Sequence, residues 1–242
     1  MNNSVAILSD IHGNAHALRA VLQDMAEHGI NERVCLGDVV GYGGSPGDCI
    51  DLLMKHGIPC VQGNHDDMVT SGQKLDTVTD ATHFSVEWTR SVLSPEQKAW
   101  LAALPLTIQA ADYEAVHSTL HDPTGWAYVL IAEAAALSFQ HQTLPVCFIG
   151  HTHRPAFWVE GDALGVDITS IEALKPNRKC LVNVGAVGQP RDRDERACYA
   201  IYRRDTQDIL WRRVSYDISG AQQAIIQAGL PAYFAQRLTL GR

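Results

Sequence analysis

The sequence predicts an α/β fold in which two β-sheets are flanked by helices. The first half of the chain alternates strand-like and helix-like segments, whereas the second half is richer in strand-like segments. Regular alternation throughout would instead favour one doubly wound parallel sheet. The length of 242 residues and the ordinary globular composition, with 46% apolar and 19% charged residues, predict a single domain over residues 1–242.

The first half is predicted to begin with a strand and a helix. In that helix Leu18, Val21, Leu22 and Met25 recur at spacings of three and four, and Gly29 suits its end. A proline at the first helical position opens the next helix, and a Ser-Pro pair separates two later ones. The predicted strands are 5–8, 33–36 and 59–62, and the later helices are 46–56 and a pair within 79–103.

The second half is predicted to consist mainly of strands, although 119–145 is less regular. Runs of β-branched and aromatic residues bounded by turn residues are typical of strands. The predicted strands are 106–110, 113–117, 146–149, 155–160, 180–184, 198–203 and 208–214, and the predicted helices are 132–141, 217–228 and 231–239.

Charge and cysteine content exclude several classes of function. The formal net charge is -8 and no Lys/Arg cluster interrupts it, which argues against a dedicated nucleic-acid surface. No segment suits a signal peptide or a membrane span. The six cysteines are scattered without a C-x-x-C pair, so buried free thiols in a reducing cytoplasm are favoured over a disulfide framework.

Five strand-like runs each end directly in residues suited to binding a metal ion. In open α/β sheets, ligands collect beyond the carboxyl ends of the strands. Because side chains alternate in an extended segment, residues i and i+2 are expected to present two ligands to one centre. Each motif alone is also explained by a turn, but the five together favour a metal site. The residues that follow the runs are Asp10 and His12, Asp38, Asn64 to Asp66, His117, and His151 and His153.

These motifs, together with the run from Gly185 to Asp192, resemble the calcineurin-like metallophosphoesterase superfamily, and most closely its small prokaryotic phosphodiesterase branch. The resemblance implies a four-layer α/β/β/α sandwich of two mixed sheets flanked by helices. Ala186 replaces a serine that many relatives have, and no metal role depends on it. The implied roles are Asp10, His12 and His153 on one metal ion, Asn64, His117 and His151 on the other, Asp38 bridging the two, and His65 donating a proton to the leaving group.

The ligand set implied by the resemblance mixes nitrogen and oxygen donors without cysteine. Such a set favours Mn²⁺, Fe²⁺, Co²⁺, Ni²⁺ or Zn²⁺ over Mg²⁺, with Mn²⁺ as the first expectation. Two such ions make hydroxide available at neutral pH and clamp both sides of an in-line displacement. Attack by a metal-bridging hydroxide on a phosphate ester is therefore the expected chemistry.

Four further residues have two interpretations each. Arg191 is expected either to contact phosphate or to form a surface ion pair with a nearby aspartate. Tyr42 either lines the cleft after Asp38 or packs within its loop. For Trp126 and Tyr128, core packing is favoured over a wall for the substrate. Other histidines are interpreted as ordinary surface or core residues, namely His16, His28, His56, His83 and His141.

Three functions compete on this sequence. A phosphodiesterase acting on a small or nucleotide-like diester is favoured, because protein phosphatases of the superfamily place arginine after the bridging aspartate and glutamate after the asparagine–histidine pair, where this chain has Val39 and Asp66. A phosphomonoesterase or protein phosphatase is the alternative. A non-catalytic scaffold is remote, because every ligand position is retained. Relatives often self-associate, so a homo-oligomer is also considered, and a nuclease is disfavoured by the lack of a basic surface.

Overall fold

A computed structural model gives the fold and describes residues 3–72, 78–162, 166–167, 171–175 and 177–242. The described residues form eight helices and two mixed β-sheets. The helices are α1 (Ala15–Glu27), α2 (Pro46–Lys55), α3 (Asn64–Thr70), α4 (Asp80–Val92), α5 (Pro95–Ala102), α6 (Ala132–His141), α7 (Ile218–Gln227) and α8 (Ala232–Leu238). The strands are β1 (Ser4–Leu8), β2 (Glu32–Cys35), β3 (Thr107–Gln109), β4 (Tyr113–Val116), β5 (Val146–Ile149), β6 (Ala156–Val159), β7 (Val166–Asp167), β8 (Ile171–Ala173), β9 (Cys180–Asn183), β10 (Ala197–Arg203) and β11 (Asp208–Val214).

The two sheets combine parallel and antiparallel pairs. In the five-stranded sheet the order is β2-β1-β10-β11-β8, with β1 parallel to β2 and antiparallel to β10. In the six-stranded sheet the order is β3-β4-β5-β9-β6-β7, with β4, β5 and β9 mutually parallel. The parallel pairs β1–β2 and β4–β5 therefore direct their carboxyl ends toward one edge of each sheet.

Alternation along β1 divides the apolar residues between two cores. Val5 and Ile7 belong to the core between the sheets, together with Phe148 of β5. Ala6 and Leu8 belong instead to the core beneath α1 to α5. These four residues of β1 are fully buried, which is the pattern of a strand covered on both faces.

The second sheet has the same division and completes the four layers. Val146 and Phe148 face the first sheet, whereas Cys147 and Ile149 pack with Phe139 of α6. The order of layers is thus helices, sheet, sheet and helix, which confirms the α/β/β/α sandwich that the resemblance implies.

Most predicted elements are confirmed to within one or two residues, but the strand predicted at 59–62 is wrong. Cys60 forms only an isolated bridge with Cys35, and Gln62 N already donates to the Pro105 carbonyl outside the sheet. Pro59 has no N–H to donate, which limits further pairing. The short helix α3 and the strands β7 and β8 were not predicted.

The described part of the chain also bears on membrane-spanning helices and on disulfide bonds. No helix in the described ranges is both long and apolar enough to span a membrane. The six cysteines are all free and buried, as the sequence predicts.

Candidate metal centre

The predicted ligands come together where four strands end. Asp10 and His12 follow β1, Asp38 follows β2, and His117 follows β4. His151 and His153 follow β5, and Asn64 opens α3. All of these except Asn64 are buried, although the loops that carry them are far apart in sequence.

The residues that converge here have left-handed backbone conformations. Asp10, His12, Asp38, His151 and His153 have φ angles between 48° and 66°. Such conformations cost about 1–2 kcal/mol for a residue with a Cβ, and they cluster where function requires a particular geometry. The two members of each Asp-x-His or His-x-His pair therefore reach one centre through a sharp turn, and the extended backbone expected for them is wrong.

A first group of ligand atoms combines two carboxylates and two imidazoles. Candidate ligand atoms of Asp10, His12, Asp38 and His153 all lie within 4.8 Å of one another. The Nε2 atoms of His12 and His153 are 3.0 Å apart, and His153 Nε2 is 3.3 Å from Asp10 Oδ1. The group could hold one metal ion.

A second group shares Asp38 with the first. Candidate ligand atoms of Asp38, His117 and His151 also lie within 4.8 Å of one another. His117 Nε2 is 3.1 Å from His151 Nδ1 and 3.2 Å from Asn64 Oδ1. The Oδ2 atom of Asp38 is 3.4 Å from His117 Nε2 and 3.5 Å from His12 Nε2, so one carboxylate oxygen borders both groups.

Backbone carbonyl groups fix the tautomers of all four histidines. A carbonyl oxygen only accepts, so the ring nitrogen beside it must carry the proton, and the other nitrogen of a neutral ring presents its lone pair to the site. The bonds are His12 Nδ1 to Val40 O at 3.1 Å, His117 Nδ1 to Leu36 O at 2.8 Å, His153 Nδ1 to Gln189 O at 2.6 Å and His151 Nε2 to Trp126 O at 2.7 Å.

These tautomers fit a bound cation. The Nε2 lone pairs of His12 and His153 face each other at 3.0 Å, an arrangement that repels unless a positive charge lies between them. The Oδ1 atom of Asp10 is buried and has no hydrogen-bond partner in the described chain. Buried polar atoms without partners are costly, and a metal ion would satisfy them. The donor set therefore suits divalent metal ions.

The electrostatics of the site also favour positive charge. Burial alone would raise the pKa of Asp38, but His117 and His65 outweigh it and hold that pKa well below its usual value. Burial would lower the pKa of His117, yet the Asp38 carboxylate raises it to about 10. Positive charge in this centre therefore stabilises the ionised form of the Asp38 carboxylate.

His65 lies beside both groups without joining them. Its backbone N–H donates to Asp38 Oδ1 at 2.8 Å, and its ring centroid is 4.9 Å from that of His12 and 4.4 Å from that of Tyr42. Burial is the main cause that lowers the pKa of His65 to about 4. A Cβ at Gly41 would overlap the imidazole, so only glycine leaves room for this ring position.

Comparisons with known proteins identify the family to which this site belongs. The family model of the calcineurin-like phosphoesterase superfamily domain matches residues 4–207. The chain belongs to this superfamily. It is therefore a metallophosphoesterase, a hydrolase of a family that uses divalent metal ions.

Three individual proteins are similar to this chain over nearly its whole length. An uncharacterized protein of Methanocaldococcus jannaschii is 35% identical over 246 residues, which cover 100% of both chains. The crystal structure of a metallophosphoesterase from Sphaerobacter thermophilus is 35% identical, has a TM-score of 0.89 and matches over 99% of both chains. A hypothetical protein from Pyrococcus horikoshii is 18% identical with a TM-score of 0.80, covering 99% of this chain and 98% of its own, and shows a shared fold.

A cavity of about 270 Å³ opens above the candidate metal centre of this metallophosphoesterase. Tyr42 and Arg191, both predicted substrate contacts, lie in its wall. Arg191 is not paired with Asp192 or Asp194 in the described structure, because both aspartates bind Arg213. The Nη2 atom of Arg191 donates to Gln189 Oε1, and its buried Nε has no partner in the described chain. The Arg191 guanidinium is therefore available to an anion.

The aromatic pair Trp126 and Tyr128 covers the second group of ligands. The ring of Tyr128 stacks on that of His151 with centroids 4.3 Å apart, and Tyr128 is 51% exposed. Tyr128 also lines the cavity, and the Trp126 ring lies 6.0 Å from that of His117. The favoured interpretation of core packing is thus wrong for Tyr128, which stands at the mouth of the site.

Sequence reasoning missed the role of Asp66. Its carboxylate accepts hydrogen bonds from the backbone N–H groups of Val39, Val40 and Gly63 at 3.0, 3.3 and 3.0 Å. It therefore joins the loop after Asp38 to the start of α3. The sequence does contain a signal for this role. Asp66 is the third residue of α3, a position at which an acidic side chain typically caps the start of a helix.

Proposed function

We propose that this metallophosphoesterase, as a single domain over 1–242, binds two metal ions and hydrolyses small or nucleotide-like phosphodiesters. The observation that carries the proposal is the position of Asp38 Oδ2, 3.5 Å from His12 Nε2 and 3.4 Å from His117 Nε2. One carboxylate oxygen between two sets of donors favours a pair of ions over a single ion.

The proposed roles follow the two groups of ligand atoms. A bound pair of divalent ions would polarise the phosphoryl group and activate water at neutral pH. Mn²⁺ is proposed first, with Fe²⁺, Co²⁺, Ni²⁺ and Zn²⁺ as the other candidates, because imidazole and carboxylate are mixed in each group. The first ion would be held by Asp10, His12 and His153, the second by Asn64, His117 and His151, and both by Asp38.

The cavity supports a diester in preference to a monoester. Among the described residues that line it, Arg191 is the one Lys or Arg side chain, which suits the single negative charge of a diester. Val39 is fully buried and the Asp66 carboxylate is bonded to backbone N–H groups, so the two positions that differ from protein phosphatases offer no cation to substrate. Tyr42 and Tyr128 both line the cavity of about 270 Å³ and offer aromatic surface to an ester group.

His65 is proposed as the proton donor to the leaving oxygen, a role that requires the negative charge of the bound ester to raise the pKa of its imidazole from about 4. His65 borders the cavity and its backbone N–H donates to Asp38 Oδ1, yet the residue is outside both groups of ligand atoms. A positioned general acid contributes about 10²–10⁴-fold to a rate. Its contribution should be largest for esters whose leaving group is a poor one.

The proposal is tested with protein that has been chelated and then loaded with Mn²⁺. We expect bis-p-nitrophenyl phosphate to be hydrolysed with a higher kcat/KM than p-nitrophenyl phosphate. The metal content, measured on the same samples, should be two equivalents per chain. A higher kcat/KM for the monoester would instead support the phosphomonoesterase alternative, and one equivalent at full activity would contradict the binuclear site.

A further inference from the structure

A second cavity, of about 550 Å³, adjoins the cavity above the candidate metal centre. Arg191 lies in the walls of both cavities, so the two meet at this residue. The volume of the second cavity is within the range of about 300–1,000 Å³ that is typical of small-molecule sites. Apart from one proline, the described residues that line it are all charged, namely Arg154, Arg191, Asp192, Arg193, Asp194 and Arg213.

Both aspartates of the second cavity already bind arginines. Asp192 forms an ion pair with Arg213, and Asp194 accepts hydrogen bonds from Arg196 Nε and Nη2 at 3.0 and 2.6 Å. The bonds from Arg196 are the main cause that lowers the pKa of Asp194. In a protein with a net charge of -8, positive charge concentrated in one cavity attracts an anion. Within the described ranges, the lining arginines that form no ion pair to a carboxylate are Arg154, Arg191 and Arg193.

Hydrogen bonds hold the segments that carry these three arginines side by side. Arg191 N donates to His153 O at 3.1 Å, and Arg154 Nε donates to Arg191 O at 3.0 Å. Beyond Arg191, the backbone N–H of Arg193 donates to Gly241 O at 2.9 Å. The three arginines therefore lie on two segments in direct contact, and Arg154 immediately follows a proposed metal ligand.

The guanidinium groups of Arg154 and Arg193 have donors left for a ligand, and both residues are exposed. Among the described residues, Arg154 uses only its Nε, and the acceptor is a neutral backbone carbonyl that does not offset the charge. In the same part of the chain, the Arg193 side chain forms no hydrogen bond or ion pair, and the buried Nε of Arg191 has no partner. Because guanidinium forks match the oxygens of phosphate, a phosphoryl group is the anion that suits this lining best.

We propose that Arg154, Arg191 and Arg193 form an anion subsite in the second cavity, and that this subsite binds a second phosphoryl group of the substrate. This inference rests on the proposed function and deepens it, because the scissile phosphodiester would occupy the first cavity. Since the two cavities share Arg191, one ligand can extend from the metal centre into the subsite. The substrate class is then phosphodiesters that carry a further phosphoryl group.

Phosphate binding tests the subsite independently of catalysis. Inorganic phosphate is titrated calorimetrically into metal-free protein with chelator present, at low ionic strength because salt screens exposed charges. We expect Arg154→Gln and Arg193→Gln each to weaken binding about five- to tenfold, because each removes charge-assisted hydrogen bonds. Arg193→Lys, which keeps the charge, should retain part of the affinity. Arg193→Gln is the more decisive variant, because the Arg193 side chain has no hydrogen bond within the described chain to lose.

Arg33 provides a matched control for these substitutions. It also lacks a carboxylate ion pair among the described residues, and its Nε and Nη2 donate to Ile30 O at 3.2 and 3.1 Å. Arg33 lies near the amino end of β2, whereas the candidate metal centre is at the carboxyl end. Arg33→Gln should bind phosphate as the wild type does. Equal phosphate affinity of wild type and both glutamine variants of the subsite, all folded by thermal melting, would overturn the subsite.

Substrate specificity is tested with two diesters that differ by one phosphoryl group. These are thymidine 5′-(p-nitrophenyl phosphate) and its 3′-phosphorylated form, with Mn²⁺-loaded protein. We expect the 3′-phosphorylated diester to have about tenfold higher kcat/KM in wild type and Arg33→Gln, and this ratio to fall toward one in Arg193→Gln.

The outcomes separate this inference from the proposed function. If Arg193→Gln lowers kcat/KM for both diesters equally, the second-phosphoryl proposal is wrong. A ratio near one in the wild type, together with weaker phosphate binding in Arg193→Gln, would assign the cavity to a free anion and would also overturn the proposal. If wild type hydrolyses neither diester but metal-free protein binds phosphate through Arg154 and Arg193, the diesterase proposal fails while the anion subsite stands.

Discussion

His151 Nε2 donates a hydrogen bond to the Trp126 carbonyl oxygen at 2.7 Å, and this bond directs the Nδ1 lone pair of His151 toward His117. The same short segment carries Tyr128, whose ring stacks on His151. One segment therefore fixes the tautomer of a proposed metal ligand and forms the outer wall of the cavity. Such outer partners of ligand histidines orient the ring and tune its basicity.

Substitution of Tyr128 is expected to change how aromatic esters bind. Stacked aromatic pairs contribute about 0.5–1.5 kcal/mol beyond buried area, so Tyr128→Ala should raise KM for bis-p-nitrophenyl phosphate about two- to tenfold. Tyr128→Phe keeps the ring that stacks on His151 and should leave KM near the wild-type value. Steady-state kinetics on the three proteins would detect this difference, and an unchanged KM in Tyr128→Ala would show that the wall does not contact the ester.

Metal content should divide between the two groups of ligand atoms. We expect His153→Asn, in the first group, and His151→Asn, in the second, each to retain about one ion per chain. Asp38→Asn, which borders both groups, should weaken both sites. Metal analysis after equilibrium dialysis against Mn²⁺ measures these values, and loss of both ions from either histidine variant would indicate one shared site.

Gly41→Ala is expected to lower activity through the position of His65. A Cβ at Gly41 would overlap the imidazole and force it to move, so kcat should fall by about 10² or more while metal content is kept. Gly57→Ala is the matched control, because Gly57 also has a positive φ, 59°, but a Cβ there would meet no atom within 4 Å. Comparable losses of kcat in the two variants would assign the effect to backbone strain instead of to His65.

The sequence was sufficient to predict the layers and the convergence of the ligands. Burial of whole strands on both faces gives continuous apolar runs such as Val5–Leu8, and parallel pairing then brings the residues after these runs to one edge. The apolar run before His151 and His153 was therefore enough to predict that these two residues lie at the carboxyl end of a buried strand. The C-terminal elements were predicted by ordinary helix and strand periodicity.

What the sequence did not predict depends on contacts between distant segments. Asp66 is interpretable as part of a turn, and only the fold shows that its carboxylate binds the backbone of Val39 and Val40. An aromatic residue such as Tyr128 is often found in a protein core. Tyr128 is exposed because it lies in an irregular segment, whose path the local sequence does not determine. The strand expected at 59–62 is absent because this segment pairs with β2 only at Cys60. The extent of pairing between two segments depends on the fold and is not determined by the local sequence.

The carboxylate of Asp24 in α1 is expected to make the stability of the fold depend on pH. Asp24 accepts hydrogen bonds from Tyr199 of β10 and Arg212 of β11, both at 2.6 Å, and so ties the helix to the first sheet. Burial alone would raise the pKa of Asp24, but the bonds from Arg212 and Tyr199 outweigh it and lower the pKa. Because the folded pKa is below the unfolded value of about 3.9, the stabilisation is present above that pH and is lost as pH falls through the folded pKa.

We therefore expect Asp24→Asn to lower the free energy of unfolding by about 1–2 kcal/mol at pH 7. The difference from wild type should persist at pH 5 and shrink below about pH 4. Asp48→Asn is the control, since Asp48 pairs with Arg19 at 2.6 Å where both side chains are more than half exposed, and such pairs contribute about 0–1 kcal/mol. Urea denaturation of the three proteins at pH 7, 5 and 3.5 provides the comparison, and a deficit for Asp24→Asn that stays constant to pH 3.5 would contradict the role of its charge.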